Sequence, residues 1–136
     1  MTVNLVDSYN QHAGKVWQTL HSHGSLSEQK LLEITALSPA DLASAIGWLA
    51  RENKIFKQGI MYKLGETNLT ATIGINGGKI WRVLDIWNDV DLPSLQRLIR
   101  IEETDVFSAV GWLAKEGKIE VTQSGLEKKS MRIWLK

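Results

Sequence analysis

The sequence predicts an α+β fold, mainly α, made of two tandem units that each contain three helices and a β-hairpin. The first observation behind this prediction is a repeat that links residues 14–20 (GKVWQTL) to residues 78–84 (GKIWRVL) at an offset of 64 residues. The second is that residues 45–55 and 109–119 match at the same offset. Everything between the two blocks is therefore duplicated in register.

A shorter match predicts the boundary between the units. Asn4 and Leu5 recur as Asn68 and Leu69 at the same offset, so the second unit begins near Asn68, after a short linker at residues 65–67. The predicted domains are residues 1–65 and residues 66–136.

The first helix is predicted over residues 12–22, where Val16, Leu20 and neighbouring apolar residues recur at helical spacing. A short second helix is predicted to begin at Ser27. Its buried side is expected to consist of Leu31, Leu32 and Ile34.

The third helix is predicted to begin at Ser38 and Pro39, because a hydroxyl at the N-cap and a proline at the first helical position both favour a helix start. Asp41 lies in the first turn, where a carboxylate is favourable. The helix is expected to run to about Glu52, with Asn53 at its end. Its core stripe is expected to be Leu42, Ile46 and Leu49.

A β-hairpin follows each third helix. The first hairpin is predicted from residues 54–57 and 60–64 around a turn at Gln58 and Gly59, and the second from residues 118–122 and 131–135. Three helices and a hairpin together make a winged helix.

The second hairpin has the longer connection, because Leu64 matches Leu135 at an offset of 71 rather than 64. This connection contains Lys128 and Lys129 and is followed by Arg132, which makes it the most basic short stretch of the chain.

Two strings resemble a family of small prokaryotic winged helix-turn-helix domains of unknown function. They are residues 73–81 (IGINGGKIW) and residues 111–119 (GWLAKEGKI). The resemblance covers nearly the whole of each copy and implies the winged-helix fold for both. It implies no activity and no functional residues, because none is established for the family.

The amino-acid composition limits the classes of function that the protein can have. The chain has 16 basic and 15 acidic residues, and neither predicted domain has the surplus of Lys and Arg that is usual in proteins that bind polyanions. Cysteine is absent, which excludes disulfides and thiolate metal sites. No leader or membrane-spanning run is evident, so we expect a cytoplasmic protein that does not contact a membrane.

No enzymatic site is predicted. The three histidines, His12, His21 and His23, lie in or near one helix without the converging ligands that a metal site needs. The glycines before Lys79 lack the spacing of a phosphate-binding loop. We therefore expect no catalytic residues, no metal and no cofactor.

The first functional hypothesis is binding to double-stranded DNA, which ranks slightly ahead of the second because it is the common role of the fold and because the second hairpin is basic. The start of the third helix would read the major groove, although neither copy has Arg, Lys, Asn or Gln there and the second copy is acidic. The candidate nucleic-acid contacts are Lys30, Ser44, Lys57, Lys63, Arg97, Arg100, Thr104, Ser108, Lys128, Lys129 and Arg132.

The second hypothesis is a protein partner or self-association. Gly47 and Gly111 lie inside the third helices, where glycine costs about 1 kcal/mol relative to alanine, and their small-residue faces would let another backbone approach. Packing against the first helix of the same domain is the favoured reading of these faces. An external contact is the alternative.

The six tryptophans divide into two groups. Four are paired by the repeat, which favours a core role for them over a stacking platform for bases. Trp87 corresponds to His23 and Trp134 to Lys63, so the fold does not require indole at these positions. We treat Trp87 and Trp134 as candidate interface residues, with local packing as the alternative. The paired tryptophans are Trp17 with Trp81 and Trp48 with Trp112.

Overall fold

The computed structural model describes residues 2–127 and 130–136 and has the predicted mainly helical α+β fold. In the first unit the elements are α1 (Val6–His23), β2 (Leu26–Ser27), α2 (Glu28–Thr35), α3 (Pro39–Arg51), β3 (Ile55–Gln58) and β4 (Met61–Leu64). The second unit has α4 (Ile75–Trp87), β5 (Val90–Asp91), α5 (Leu92–Ile99), α6 (Glu103–Lys115), β6 (Ile119–Gln123) and β7 (Met131–Leu135). β1 (Val3–Asn4) precedes α1, and a π-helical turn, Thr70–Gly74, leads into α4.

The first helix is longer than predicted. α1 begins at Val6, six residues before the predicted start, and ends at His23, followed by Gly24 with a φ of 77°. The difference arises because Tyr9 and Ala13 continue the buried face that Val16 begins, and both are buried. The polar residues around them hid this face in the sequence.

The second helix begins as predicted, since the Ser27 side chain accepts a hydrogen bond from the Lys30 backbone N–H at 3.2 Å. Its buried face is different. Leu31 is buried, but Ile34 is 42% exposed, and the expectation that Ile34 is buried was wrong. Thr35 is buried in its place because it lies one helical turn from Leu31.

The third helix also begins as predicted, with the Ser38 hydroxyl accepting a hydrogen bond from the Asp41 backbone N–H at 3.1 Å. Every residue from 42 to 50 is buried, so the helix is covered on all sides rather than along one stripe. A helix in that position must contact another element on the face that its own unit leaves open.

Both predicted hairpins are present. β3 pairs with β4 with Gln58 opposite Met61, and β6 pairs with β7 with Gln123 opposite Met131. The two sheets have the strand orders β2-β4-β3 and β1-β6-β7-β5.

The segment before the first helix of each unit contacts the hairpin of the other unit. β1 pairs with β6, and the Leu5 backbone N–H donates to the Val121 carbonyl at 2.8 Å. In the opposite direction, the Asn68 amide accepts from the Lys57 N–H at 3.0 Å and donates to the Lys57 carbonyl at 2.7 Å. Asn68 matches Asn4 of β1 in the repeat, so the exchange between the units is reciprocal.

None of the described helices is both long and apolar enough to cross a membrane.

Candidate functional site

The two third helices contact each other through their glycines. A Cβ atom added to Gly47 would lie 1.8 Å from the Ser108 carbonyl oxygen, and one added to Gly111 would lie 2.0 Å from the Ser44 carbonyl oxygen. No real Cβ contact is that short, so the main chains of α3 and α6 touch where only glycine fits. The approaching backbone is the third helix of the other copy, and the favoured interpretation that the first helix of the same domain packs there was wrong.

The contacts around these glycines follow an approximate two-fold relation. The Arg51 guanidinium lies over the Trp112 ring at 5.7 Å, and the Lys115 ammonium lies over the Trp48 ring at 5.5 Å. Each pair joins residues at about the same level along the two helices, as the glycine contacts do. α3 and α6 therefore run side by side in the same direction, in the self-complementary manner of a two-fold dimer interface.

Ion pairs continue this relation beyond the ends of the two helices. Glu52 lies 3.5 Å from the Lys54 ammonium and 3.8 Å from that of Lys115. Its repeat partner Glu116 lies 3.1 Å from the Arg51 guanidinium and 3.6 Å from the Lys118 ammonium. Each glutamate thus joins a basic residue of its own unit to one of the other unit.

The helix pairing excludes one candidate DNA contact and covers another. Ser44 is fully buried and its hydroxyl donates to the Ala40 carbonyl at 3.1 Å, so the expectation that it contacts nucleic acid was wrong. Its face of α3 is turned toward α6. Ser108 is half-buried, and its hydroxyl donates to the Thr104 carbonyl at 3.0 Å.

The start of each third helix remains partly accessible. Thr104 and Asp105 are exposed, while Asp41 and Glu103 are partly exposed. Because α3 and α6 run in the same direction, these first turns lie at one end of the pair. That end presents carboxylates, which repel phosphate.

The basic candidates of the first unit are exposed. Lys30 forms an ion pair with Glu33 at 3.2 Å. On the hairpin, the Lys57 ammonium lies over the Tyr62 ring at 5.4 Å and the Lys63 ammonium lies over the Phe56 ring at 5.0 Å. Within the described part of the chain, neither Lys57 nor Lys63 forms an ion pair.

Two candidates of the second unit, Arg97 and Arg132, line one pocket of about 410 Å³, between the end of α4, α5 and β7. Arg132 donates to Asp89 at 2.7 Å, and Arg97 donates to the Ser94 hydroxyl at 3.2 Å. Arg100 is the exposed residue that ends α5, with a φ of 54°. The remaining basic candidates, Lys128 and Lys129, lie outside the described residues.

Asp91 lines the same pocket and caps α5, accepting from the Ser94 backbone N–H at 2.8 Å. Hydrogen bonds from Ser94 lower the pKa of Asp91, and the nearby positive charges of Arg132 and Arg97 act in the same direction.

The repeated tryptophans do not share one environment. Trp48 is buried, while Trp112 and Trp17 are half-buried. Trp81 is 40% exposed, so the expectation of a core role was wrong for it. Trp112 fits against Gly74 of the π-helical turn and Gly77 of α4, whose Cβ positions would lie 3.3 and 3.2 Å from its ring, and Trp81 lines the adjacent groove.

The two unpaired tryptophans also differ. Trp87 is 58% exposed at the end of α4 and lines the pocket that contains Arg97 and Arg132. Trp134 is half-buried on β7, opposite Glu120, and lines a separate cleft beside the end of α4.

The outer face of α4 was not among the candidates that the sequence predicted. Four exposed residues spaced by four, three and four positions lie along it: Ile75, Lys79, Arg82 and Ile86. The matching positions of α1 are also exposed but polar: Gln11, Lys15, Gln18 and Ser22. Comparing the solvent faces of the two copies, rather than their tryptophans alone, would have found this difference.

One polar cluster in the first unit could suggest catalysis. His12 Nδ1 lies 4.0 Å from an Asp41 carboxylate oxygen, near Ser44. The buried Ser44 hydroxyl already donates to the Ala40 carbonyl, so it is not available as a nucleophile. The Tyr9 hydroxyl lies close to Ser44 without a hydrogen-bond partner among the described residues, and burial raises the pKa of Tyr9. No group of three potential metal ligands occurs in the described ranges.

The comparisons with known proteins agree with the repeat. A family model described as a winged helix-turn-helix domain (DUF2582) matches the chain twice, over residues 9–64 and 67–131. No match was found among curated proteins or among solved structures.

Proposed function

We propose that this protein has a binding role without catalysis, and specifically that it is a protein-binding module. The chain belongs to the winged helix-turn-helix domain family DUF2582 and contains that domain twice in tandem. Winged helices commonly bind DNA, so the proposal needs a reason to depart from that role. The observation that carries it is the contact of α3 with α6 through Gly47 and Gly111.

A helix that reads the major groove must lie in it with its N-terminal residues at the base edges. α3 is buried from residue 42 to residue 50, and the opposing α6 lies against its small-residue face. The accessible first turns, which would meet the base edges, carry Asp41, Glu103 and Asp105. This arrangement disfavours groove reading by either third helix.

The surface of the second unit favours a protein partner. Ile75, Ile86 and Trp87 are 61%, 67% and 58% exposed, and Trp81 is also exposed. Trp is enriched among the residues that dominate protein–protein binding energy. Ile75 and Ile86 lie on one side of α4 and Trp81 and Trp87 on its two flanks; together they form the candidate contact surface, which we call the α4 surface.

The test is capture of a partner with the full chain as bait, followed by reconstitution with the purified partner. The bait variant Ile86→Ser, Trp87→His carries the residues that α1 has at the matching positions, Ser22 and His23. We expect this variant to bind the reconstituted partner at least about tenfold more weakly, a loss of roughly 1.4 kcal/mol. The control Lys15→Ala, on the outer face of α1, should bind as the wild type does.

Unchanged affinity in the α4 variant would refute the α4 surface. If no partner is captured while labelled duplex binds tightly at physiological salt, the protein-binding role itself is wrong.

DNA binding through the hairpins is a second candidate. Its specific support is that Lys57 and Lys63 are exposed beside aromatic rings and form no ion pair in the described ranges. Fluorescence anisotropy with a labelled random duplex across a salt series tests it. Lys57→Gln with Lys63→Gln should reduce the salt slope by roughly two, since each phosphate that a lysine neutralises contributes about 0.9 to the slope.

The second hairpin provides a parallel test, because Lys128→Ala with Lys129→Ala should also lower the slope if that hairpin contacts phosphate. Slopes that neither pair changes would exclude the hairpins.

A further inference from the structure

We infer that the outer face of α4 is a docking site for an acidic amphipathic helix of a protein partner. This inference rests on the proposed protein-binding function and specifies the chemistry of the partner. It concerns one stripe, which we call the outer stripe, formed by Ile75, Lys79, Arg82 and Ile86.

The outer stripe follows from helix geometry. Its residues are separated by four, three and four positions, so at 3.6 residues per turn their side chains lie on one side of α4. The stripe extends for about 16 Å, or three turns, at 1.5 Å per residue. Isoleucines occupy both ends and the two basic residues lie between them.

Folding does not account for the apolar ends of the stripe. Ile75 and Ile86 are more than half exposed, so neither contributes much to the core. The matching residues of α1 are Gln11 and Ser22, and α1 occupies the same place in the same fold. The isoleucines are therefore a property of the second unit's surface and not of winged-helix packing.

The basic residues of the stripe, like Lys57 and Lys63 of the first hairpin, differ from the ion-paired basic residues of the molecule. Arg51, Lys54, Lys115, Lys118 and Arg132 each have a carboxylate within 4.0 Å. In the described part of the chain, Lys79 and Arg82 form no such pair. The nearest acidic residue along α4 is Asp85, which lies toward the Trp81 flank.

This combination specifies the partner. A helix lying along the stripe would bury apolar side chains against the two isoleucines and place carboxylates beside the two basic residues. Helix-in-groove and helix-on-helix recognition commonly uses apolar residues three or four positions apart. Electrostatic attraction to an anionic membrane commonly uses clusters of about four to eight basic residues, more than the stripe has.

The probe is a roughly 14-residue acetylated and amidated peptide with Leu at every third or fourth position and Glu on the flanks of the Leu stripe. A second peptide has Gln at each Glu position. Both are titrated to about 1 mM into the isotopically labelled full chain, and binding is followed by backbone amide shifts in nuclear magnetic resonance spectra. Vesicles with anionic lipid are tested in parallel.

We expect the Glu peptide to shift amides along α4 and the Gln peptide to bind at least about tenfold more weakly. The variant Arg82→Gln, Ile86→Ser gives α4 the residues Gln18 and Ser22 of α1 and should also weaken the Glu peptide by about tenfold. The matched control Gln18→Ala should not change binding. Circular dichroism checks that each variant is folded.

Two results would overturn the inference: equal affinity for the two peptides, or no shifts along α4 at 1 mM peptide, whether or not vesicles cause them. Failure of the inference is separable from failure of the proposed function. A captured partner that Trp87→His releases while the peptide does not bind α4 would leave a protein-binding module with different partner chemistry.

Discussion

Replacing Gly47 by alanine tests the contact that pairs the two units. The new methyl group would lie 1.8 Å from the Ser108 carbonyl oxygen, about 1.6 Å inside the ordinary contact distance of 3.4 Å. The obstacle is backbone, so it cannot rotate away as a flexible side chain would. α3 and α6 must therefore separate, or Ser108 must move with its helix.

The magnitude comes from comparison with Gly14→Ala. Both glycines lie inside helices, and alanine is favoured there by up to about 1 kcal/mol. A Cβ on Gly14 meets nothing within 4 Å, so Gly14→Ala should stabilise the protein. Overpacking usually costs about 1–3 kcal/mol. We expect Gly47→Ala to be less stable than Gly14→Ala by about 3 kcal/mol, at the upper end because the contact is with main chain.

Urea unfolding followed by tryptophan fluorescence and by circular dichroism measures this difference. Gly47→Ala combined with Gly111→Ala should cost less than the sum of the two single changes, because helices that one methyl group has separated accommodate the second more easily. Equal stabilities of Gly47→Ala and Gly14→Ala would refute the close packing of α3 on α6.

Three further changes test other parts of the fold. Asp91 has a lowered pKa in the folded protein, so its contribution to stability is present above about pH 4 and is lost as the pH falls through the lowered pKa. Asp91→Asn can still cap α5, so the urea midpoint of this variant should fall less steeply at acidic pH than that of the wild type, and an unchanged acid dependence would argue against the charge effect. Tyr9→Phe removes a buried hydroxyl that has no hydrogen-bond partner in the described ranges, so the free energy of unfolding should stay unchanged or rise by up to about 1 kcal/mol. A loss of more than about 1 kcal/mol would mean that the hydroxyl is hydrogen-bonded. Asn68→Ala removes two hydrogen bonds to the Lys57 backbone and should cost about 1–2 kcal/mol and increase hydrogen exchange at the Lys57 amide, with Asn10→Ala as the exposed control.

The sequence predicts best what short segments determine. Ser38 and Pro39 place the start of α3 because capping depends on a few adjacent residues. The turn at Gly59 and the strands beside it are likewise local. The repeat then transfers each local prediction to the second copy, so the two winged helices could be recognised without any knowledge of their packing.

The contacts between the units could not be obtained in the same way. Small residues on one face of α3 indicate that a backbone approaches, but they do not identify the helix that supplies it. The pairing of β1 with β6 joins segments more than a hundred residues apart in sequence. Ser44 was misjudged for this reason, since α6 of the other unit covers it.

The two copies act as controls for each other, and their differences separate structure from function. Residues at the contact between the units correspond across the repeat, including Gly47 with Gly111 and Glu52 with Glu116, because an approximately two-fold interface places the same demand on both sides. The outer faces of α1 and α4 carry no such demand, yet only α4 exposes isoleucines. A difference at positions that the fold leaves free is better explained by binding than by packing, and this is why the α4 surface supports the proposed function more strongly than the third helices do.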